Sequence, residues 1–439
     1  MGEGRGGTAT GSAAADSAAG ATAAGANVGG EPAQGPRASA GHRSYLPVLL
    51  FGCAILIIST GVRSSFGLFM PEMTLARGWS RESFSFAIAL QNLMWGLGGS
   101  FLGAMADRYG SMRTLLLGGV LYVLGFLGMA WAETGTMLSL SAGLVMGIAI
   151  GGTSFGIILA TLGRIVPAEQ RSFAFGIGVA AGSFGQFLFL PLAGALIASL
   201  GWQVTLLIHA AIVGLILVLA PGVRGADGNV TQAAQLRFGQ TLRSTMADRN
   251  FHLLFWGYFV CGLQVVFIQL HLPAYLIDKG MPANIGATAV ALIGLFNVIG
   301  SFAAGVLGQK LSRKWLLAAI YIVRSIVIGL FLLAPLGALS VYVFSAAMGL
   351  LWLSTVPLTN ALIGQRWGVQ YLGLLGGVVF FGHQIGSFLG AWLGGRFFDT
   401  FGNYDYAWAM IIAFGLFAAV MHAPIDQRPS GQRGVPAAG

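Results

Sequence analysis

The chain has 439 residues, 56% of them hydrophobic, 8% charged and 68 of them glycine, with a formal net charge of +9. A soluble domain carries about 25% charged residues, so an ordinary water-soluble globular protein is excluded. A mean hydropathy of +0.79 sustained over this length indicates one polytopic membrane body rather than several soluble domains.

Residues 1–44 are Gly, Ala, Ser and Pro with scattered charges. Such a segment buries too little apolar surface to offset backbone ordering entropy, and a disordered tail is expected. No apolar core follows a basic start, so no cleavable signal peptide is expected there. From Tyr45 the chain becomes apolar stretches long enough to cross ~30 Å of hydrocarbon as helix. They fall near 45–70, 83–106, 113–132, 136–160, 172–198, 202–220, 251–277, 284–308, 315–334, 338–363, 371–396 and 404–422. The expected fold class is therefore an all-α membrane protein of about twelve transmembrane helices. A longer break at 221–250 carries Arg224, Arg237, Arg243 and Arg249 and divides the spans into two sets of six. The expected organisation is an N-terminal half over 45–220, a linker over 221–250, a C-terminal half over 251–422 and a second disordered tail over 423–439.

With both termini on the cytoplasmic side, the outer loops hold only Arg77, Arg81, Lys279 and Arg396, and the spans hold Arg63 and Arg324. All other basic residues fall on the inner side, an asymmetry that sets orientation by the positive-inside rule. It also accounts for the basic charge without nucleic acid, because the charge faces anionic lipid. The expected location is the cytoplasmic (inner) membrane. Cys53 and Cys261 both lie in apolar stretches, as small buried side chains rather than a disulfide framework.

The two sets of spans repeat one another. Gly103 and Gly305, Arg108 and Lys310, Met146-Gly147 and Met348-Gly349, and Arg164 and Arg366 are each separated by 202 positions, as are Pro71 and Pro273. A duplication of about six spans is the simplest cause. In transporters built from two parallel halves, the substrate site lies near the midplane between them.

The loop after the second span reads Gly103-Ala-Met-Ala-Asp107-Arg108-Tyr-Gly110-Ser-Met-Arg113. It resembles the G-x-x-x-D-R-x-G-x-x-R loop signature of the major facilitator superfamily. A degenerate echo, Gly305-Val-Leu-Gly-Gln309-Lys310-Leu-Ser-Arg313-Lys314, stands where the duplication requires it. The resemblance implies a two-half, twelve-helix fold in which these loops form a cytoplasmic latch that opens during transport. Gly103 and Gly305 would then let helix ends approach, and Asp107 would accept hydrogen bonds at a helix N-terminus while held by Arg108 and Arg113. Within the superfamily the chain is most similar to the monocarboxylate porter and oxalate–formate exchanger group. The carrying residues are Gly61-Val-Arg63-Ser-Ser-Phe-Gly-Leu-Phe-Met-Pro71, where that group often has a basic residue, and the run from Gly382-His383-Gln384 to Gly395. Members commonly carry an Asp and an Arg one turn apart in the eighth span, where this chain has Asn297 and Ser301.

An arginine at the centre of a spanning helix costs roughly 2.5–3.5 kcal/mol on insertion scales. Arg63 shares a polar, narrow stripe with Ser59, Thr60 and Gly67, and no Asp or Glu lies inside any span away from its ends. An anionic substrate is the natural counter-ion for Arg63. Outward snorkelling to carbonyls or Glu72 is the alternative. Arg324 in the ninth span is expected to bridge neighbouring helices; if it points inward, it becomes a second anion clamp. Further cavity-lining candidates are Gln264, His271 and Tyr275 on the seventh span, Trp352, Thr355, Thr359 and Asn360 on the tenth, and Phe380, His383, Gln384 and Ser387 on the eleventh. His271 and His383 are candidate proton acceptors or helix–helix contacts, and His209 is read as structural.

There is no phosphate-binding loop, no metal-ligand pairing of Cys and His, and no nucleophile elbow in the sequence. Neither enzyme activity, a metal, a cofactor nor a nucleic-acid partner is expected, and a single chain is the expected unit. The expected function is a secondary transporter that moves a small organic anion, foremost a carboxylate, by rocker-switch alternating access, with proton symport and anion exchange both open. The alternatives are an exporter of neutral or amphipathic compounds using Trp352 and Phe380, and a non-transporting membrane sensor with 221–250 as its contact surface.

Overall fold

The computed structural model describes Met1 and residues 45–224, 243–368 and 371–429. The expected tail beyond Met1, the middle of the expected linker and residues 430–439 lie outside the described residues.

Among the described residues there are twelve long helices: α1 Leu46–Arg77, α2 Arg81–Tyr109, α3 Ser111–Ala130, α4 Gly135–Ile165, then α5 and α6 within Ala168–Leu219. Next come α7 Arg249–Asp278, α8 Ala283–Lys310, α9 Arg313–Leu333, α10 Ala338–Trp367, α11 Leu372–Phe401 and α12 Asp405–His422. No strand occurs among the described residues. Length and apolarity alone count ten spans. The other two are α2, whose middle carries Gln91 and Asn92, and the separation of α5 from α6 at Gly201, whose φ of 78° interrupts an otherwise continuous helix. Helix starts follow ordinary capping chemistry: Ser80, Thr134 and Asp248 accept from backbone N–H groups two or three residues on. Three spans are broken internally, α1 at Ser65, α4 at Ser154 and α10 at Trp352–Ser354. Taken 202 positions on, the break in α4 falls at Val356, two residues past the break in α10.

The duplication is visible atom by atom in the packing. A Cβ on Gly147 of α4 would lie 2.6 Å from the Gln91 carbonyl oxygen and 2.6 Å from Met94 Cβ on α2. In the other half, a Cβ on Gly349 of α10 would lie 2.7 Å from the Ile293 oxygen and 2.7 Å from Phe296 Cβ on α8. Every residue of the second set is 202 positions after its counterpart in the first. The same close approach joins α1 to α5 through Gly61 and Gly185, and α7 to α11 through Gly262, Gly386 and Gly390. Without a hydrophobic drive between helices in lipid, such backbone contact supplies the packing energy.

The halves meet through α1 with α7, α2 with α11 and α5 with α8. Near the middle, Gln384 Nε2 donates to the Asn92 carbonyl at 2.9 Å, Gln186 Nε2 to the Val290 carbonyl at 3.1 Å, and Asn297 Nδ2 to Ser183 Oγ at 3.1 Å. At one end of the bundle the seam is latched by charge. Arg81 holds both oxygens of Asp278 at 2.5 and 2.6 Å, donates to Tyr404 and lies 3.8 Å above the Phe398 ring. Asp399 accepts from the backbone N–H groups of Arg81 and Glu82, capping α2 from the opposite half. Glu82 in turn accepts from Arg396 at 2.9 Å and Trp392 at 3.0 Å. Burial opposes the Glu82 carboxylate, but the Arg396 and Trp392 bonds outweigh it and hold its pKa below the usual value. Burial likewise opposes the Arg81 guanidinium, and the Asp278 and Tyr404 bonds more than compensate, raising its pKa. Partly exposed ion pairs of this kind are each worth only about 0–1 kcal/mol.

At the other end, Arg366 binds Asp248 at 2.8 Å and the carbonyls of Asp426 and Arg428, while Gln427 bonds Ser312 and the Arg313 N–H. Burial opposes the charged form of Asp248, yet its Asn250 and Arg366 bonds keep its pKa low. The tail expected to be disordered from 423 is thus docked over 423–429, because buried Arg366 needs acceptors and the tail's carbonyls supply two of them.

Gly147→Ala and Gly349→Ala should each destabilise the purified protein by ~1–3 kcal/mol, seen as a lower thermal unfolding midpoint. Gly329→Ala, whose added Cβ would meet nothing within 4 Å, should leave the midpoint unchanged or slightly raised. Arg81→Ala should lengthen the distance between spin labels placed at positions 133 and 279, because the latch loses its central cation. Acid should do the same. A carboxylate with a depressed folded pKa contributes fully above its ordinary value of about 4.3 and loses that contribution as pH falls through the depressed one.

Candidate functional site

Arg63 stands one residue before the end of the first segment of α1. The chain breaks there because Ser64 and Ser65 turn their hydroxyls back onto the carbonyls of Thr60 and Val62, at 2.8 and 2.7 Å. The side chain runs along the seam toward α2, where Nη2 donates to Asn92 Oδ1 at 2.8 Å and the guanidinium lies 4.4 Å from the Trp95 ring centroid. Asn92 is fixed for this role by its own amide, which donates to the Ile88 carbonyl at 2.8 Å. Both partners are neutral, and no carboxylate pairs with Arg63 among the described residues. Its Nε is buried without a partner. Beside it, Ile88, Gln91, Asn92, Val266, Gln269 and Leu270 line a cavity of about 20 Å³, room for roughly one water. The cavity draws its walls from both halves, through α1, α2 and α7.

The polar chain continues across the seam. Trp95 meets Phe380 edge to face at 5.4 Å, Phe380 stacks on His383 at 5.8 Å, and His383 Nδ1 bonds Gln384 Oε1 at 2.9 Å. The bond from Gln384 to the Asn92 backbone closes the circuit. Arg63, His383 and Gln384, singled out in the sequence, are therefore brought together; Thr60 flanks them, its Oγ1 facing Gly182. Asn92 and Trp95 were not anticipated. The signal for them was the Gln91-Asn92 pair inside an otherwise apolar span, with Trp95 one turn further along the same face.

The remaining candidates lie apart from this circuit, Asn297 on the seam through its bond to Ser183 and the others within the C-terminal half. His271 is fully buried within the C-terminal half, bonded to the Ala391 carbonyl at 2.8 Å and to the Tyr404 hydroxyl at 3.3 Å, so it does not line the seam. Gln264 is also buried in that half, donating to the Ile411 carbonyl and accepting from Arg324. Arg324 itself is fully buried and binds the carbonyls of Leu351 and Trp352, the free C-terminal end of the first α10 segment. A guanidinium at a helix C-terminus meets the negative end of the helix dipole. Trp352 is buried beside it, and Thr355 bonds Cys261 Sγ at 3.2 Å. Asn297 accepts from the Leu353 N–H at 3.0 Å, satisfying the other side of the same break. Thr359 is buried with its hydroxyl unpartnered.

In the loop signature, Gly110 adopts φ 93°, a conformation that requires glycine. A Cβ on Gly103 or Gly305 would meet nothing within 4 Å, so close helix approach is not what these two glycines provide here. Arg108 lies over the Tyr109 ring, and Arg108, Arg113 and Lys310 are exposed. The Asp107 side chain lies outside the described residues.

Residues 52–391 match the family profile of the Major Facilitator Superfamily. The uncharacterized MFS-type transporter YcxA of Bacillus subtilis is 28% identical over 86% of this chain and 94% of its own. Monocarboxylate transporter 13 of Bos taurus is 29% identical over 81% of this chain and 83% of its own. Among solved structures, a bacterial homologue of the human lysosomal transporter Spinster, in an inward-facing and unoccupied conformation, superposes with a TM-score of 0.74 at 14% identity over 88% of this chain and 97% of its own. The fold, the repeated packing and the profile match together establish that the chain belongs to the major facilitator superfamily of membrane transporters.

Proposed function

We propose that this transporter moves small organic anions, carboxylates foremost, across the cytoplasmic membrane by alternating access of its two halves, with Arg63 as the charge partner of the substrate. One observation carries this reading: the seam between the halves holds an arginine whose partners are an amide oxygen and an indole ring, both neutral. A carboxylate offers two acceptors in the plane that a guanidinium fork matches, and in a low-dielectric seam such charge-assisted bonds are about twice as strong as neutral ones. The names of monocarboxylate transporters 13, 11 and 12 among the relatives support the same substrate class.

The excess of basic residues at the end that holds both termini supports a cytoplasmic position for that end. The latch of Arg81, Glu82, Asp278, Arg396 and Asp399 then faces outside, and the conformation described is closed to the exterior. Drive is proton symport or anion exchange, with one chain as the transporting unit.

Losing one charge-assisted bond costs about 1.5–3 kcal/mol, so Arg63→Gln reconstituted in liposomes should take up a monocarboxylate roughly ten- to a hundredfold less efficiently. Arg63→Lys should fall between, because it keeps the charge but loses the fork and the stacking on Trp95. Unchanged kinetics in Arg63→Gln would remove the assignment. Equal uptake of the matching neutral amide would favour the reading as an exporter of neutral compounds.

A further inference from the structure

The 202-residue repeat pairs one buried site in each half. In the N-terminal half, Ser59 Oγ meets Thr153 Oγ1 at 2.9 Å, and Tyr122 donates its hydroxyl to the Ser59 carbonyl at 3.2 Å. Adding 202 to these positions gives Cys261, Thr355 and Arg324. Those residues cluster likewise in the C-terminal half: Cys261 Sγ lies 3.2 Å from Thr355 Oγ1, the counterpart of the Ser59–Thr153 contact, while Arg324 Nη1 lies 3.8 Å from the sulfur itself rather than from the backbone carbonyl that Tyr122 bonds. Duplication thus produced two equivalent sites. One contains three neutral hydroxyls, whereas the other has a cation where the tyrosine stands and a thiol where the serine stands.

The two exchanges are chemically complementary. Arg324 is fully buried, and a buried charge is tolerated only with a counter-charge or several good acceptors. Its carbonyl and amide partners supply acceptors and the helix dipole a partial negative charge, but no carboxylate touches it among the described residues. Among the described residues, the one acidic group bonded to it is the Cys261 thiol. Tyr258 on the same helix, Tyr321 on α9 and His383 on α11 are the other titratable groups around the sulfur, and the His383 ring lies 5.3 Å from that of Tyr258. His383 also belongs to the circuit at the seam, so the sulfur is one side chain away from the interface between the halves.

We propose that Cys261 is a proton-binding site of the C-terminal half, alternating between a thiolate paired with Arg324 and a neutral thiol. The chemistry is proton transfer alone. A proton delivered from water by way of His383 adds to the sulfur lone pair, an S–H bond forms, and Arg324 keeps its charge. The pair goes from net zero to net +1, and release reverses the step. The consequence for transport rests on the anion reading above: the uncompensated charge of the protonated site favours an anion at the seam, and the loss of the proton favours its departure, a reciprocal linkage between the two ligands.

The test uses the full chain, purified without substrate, and follows the ultraviolet absorbance of thiolate from mildly alkaline to mildly acidic pH. The wild type should lose the absorbance of one thiolate reversibly, Cys53→Ser should behave identically, and Cys261→Ser should show no such loss. Cys261→Asp, which keeps the negative charge, should retain the thermal stability that Cys261→Ala loses. In liposomes, Cys261→Ser should keep anion exchange but lose the acceleration given by an inward proton gradient. Absence of the thiolate signal in wild type, its persistence in Cys261→Ser, or undiminished gradient-driven uptake by Cys261→Ser would overturn the proposal. A protein that shows the thiolate signal yet moves no carboxylate would support the site and remove the transport reading instead.

Discussion

A positive charge placed in hydrocarbon without a negative one beside it is the constraint around which this molecule is arranged. Insertion of a central arginine costs roughly 2.5–3.5 kcal/mol, and the chain carries two inside its spans. It treats them differently. Arg324 is enclosed by one half, where a broken helix turns two carbonyls toward it and a thiol completes the shell. Arg63 is left on the seam with neutral partners and an unpartnered Nε. The enclosed arginine is anchored, whereas the one on the seam has capacity left for a ligand that arrives from water.

The remainder of the fold keeps that seam both tight and separable. Glycine contacts repeated 202 positions apart hold helices within each half at backbone distance. Between the halves the bonds are few and of two kinds. Single amide and hydroxyl contacts lie near the middle, and a cluster of partly exposed ion pairs lies at one end. Strong cohesion within the halves and modest cohesion between them is the division of energy that alternating access requires.

Much of this architecture was legible in the sequence, because a span is a matter of length and apolarity and a duplication is a matter of counting. The span read as 83–106 runs from Arg81 to Tyr109, and the one read as 404–422 from Asp405 to His422. The first span was read short, to residue 70, whereas the backbone stays helical to Arg77 and stops at Gly78 in the left-handed region. Side-chain direction was harder to read. Gln264 and His271 share a helical face in α7, but that face turns into its own half, since the rotation of a helix about its axis is set by close-packed glycines on neighbouring helices. Arg81 and Arg396 were legible only as topology signals, because their partners Asp278 and Glu82 come from distant parts of the chain. The matching of Arg324 with Cys261 needed both the repeat and the structure, as nothing in either residue alone points to the other.

The central claim is that the charge of Arg63 selects the cargo. It is tested most directly by the thermal unfolding midpoint of the purified protein with a small carboxylate and, separately, with the neutral amide of the same shape. A ligand that binds only the folded state raises the midpoint with its concentration. The carboxylate should raise it in wild type and fail to do so in Arg63→Gln, and the amide should have no effect in either. Equal stabilisation by the amide, or stabilisation by the carboxylate that survives Arg63→Gln, would contradict the account.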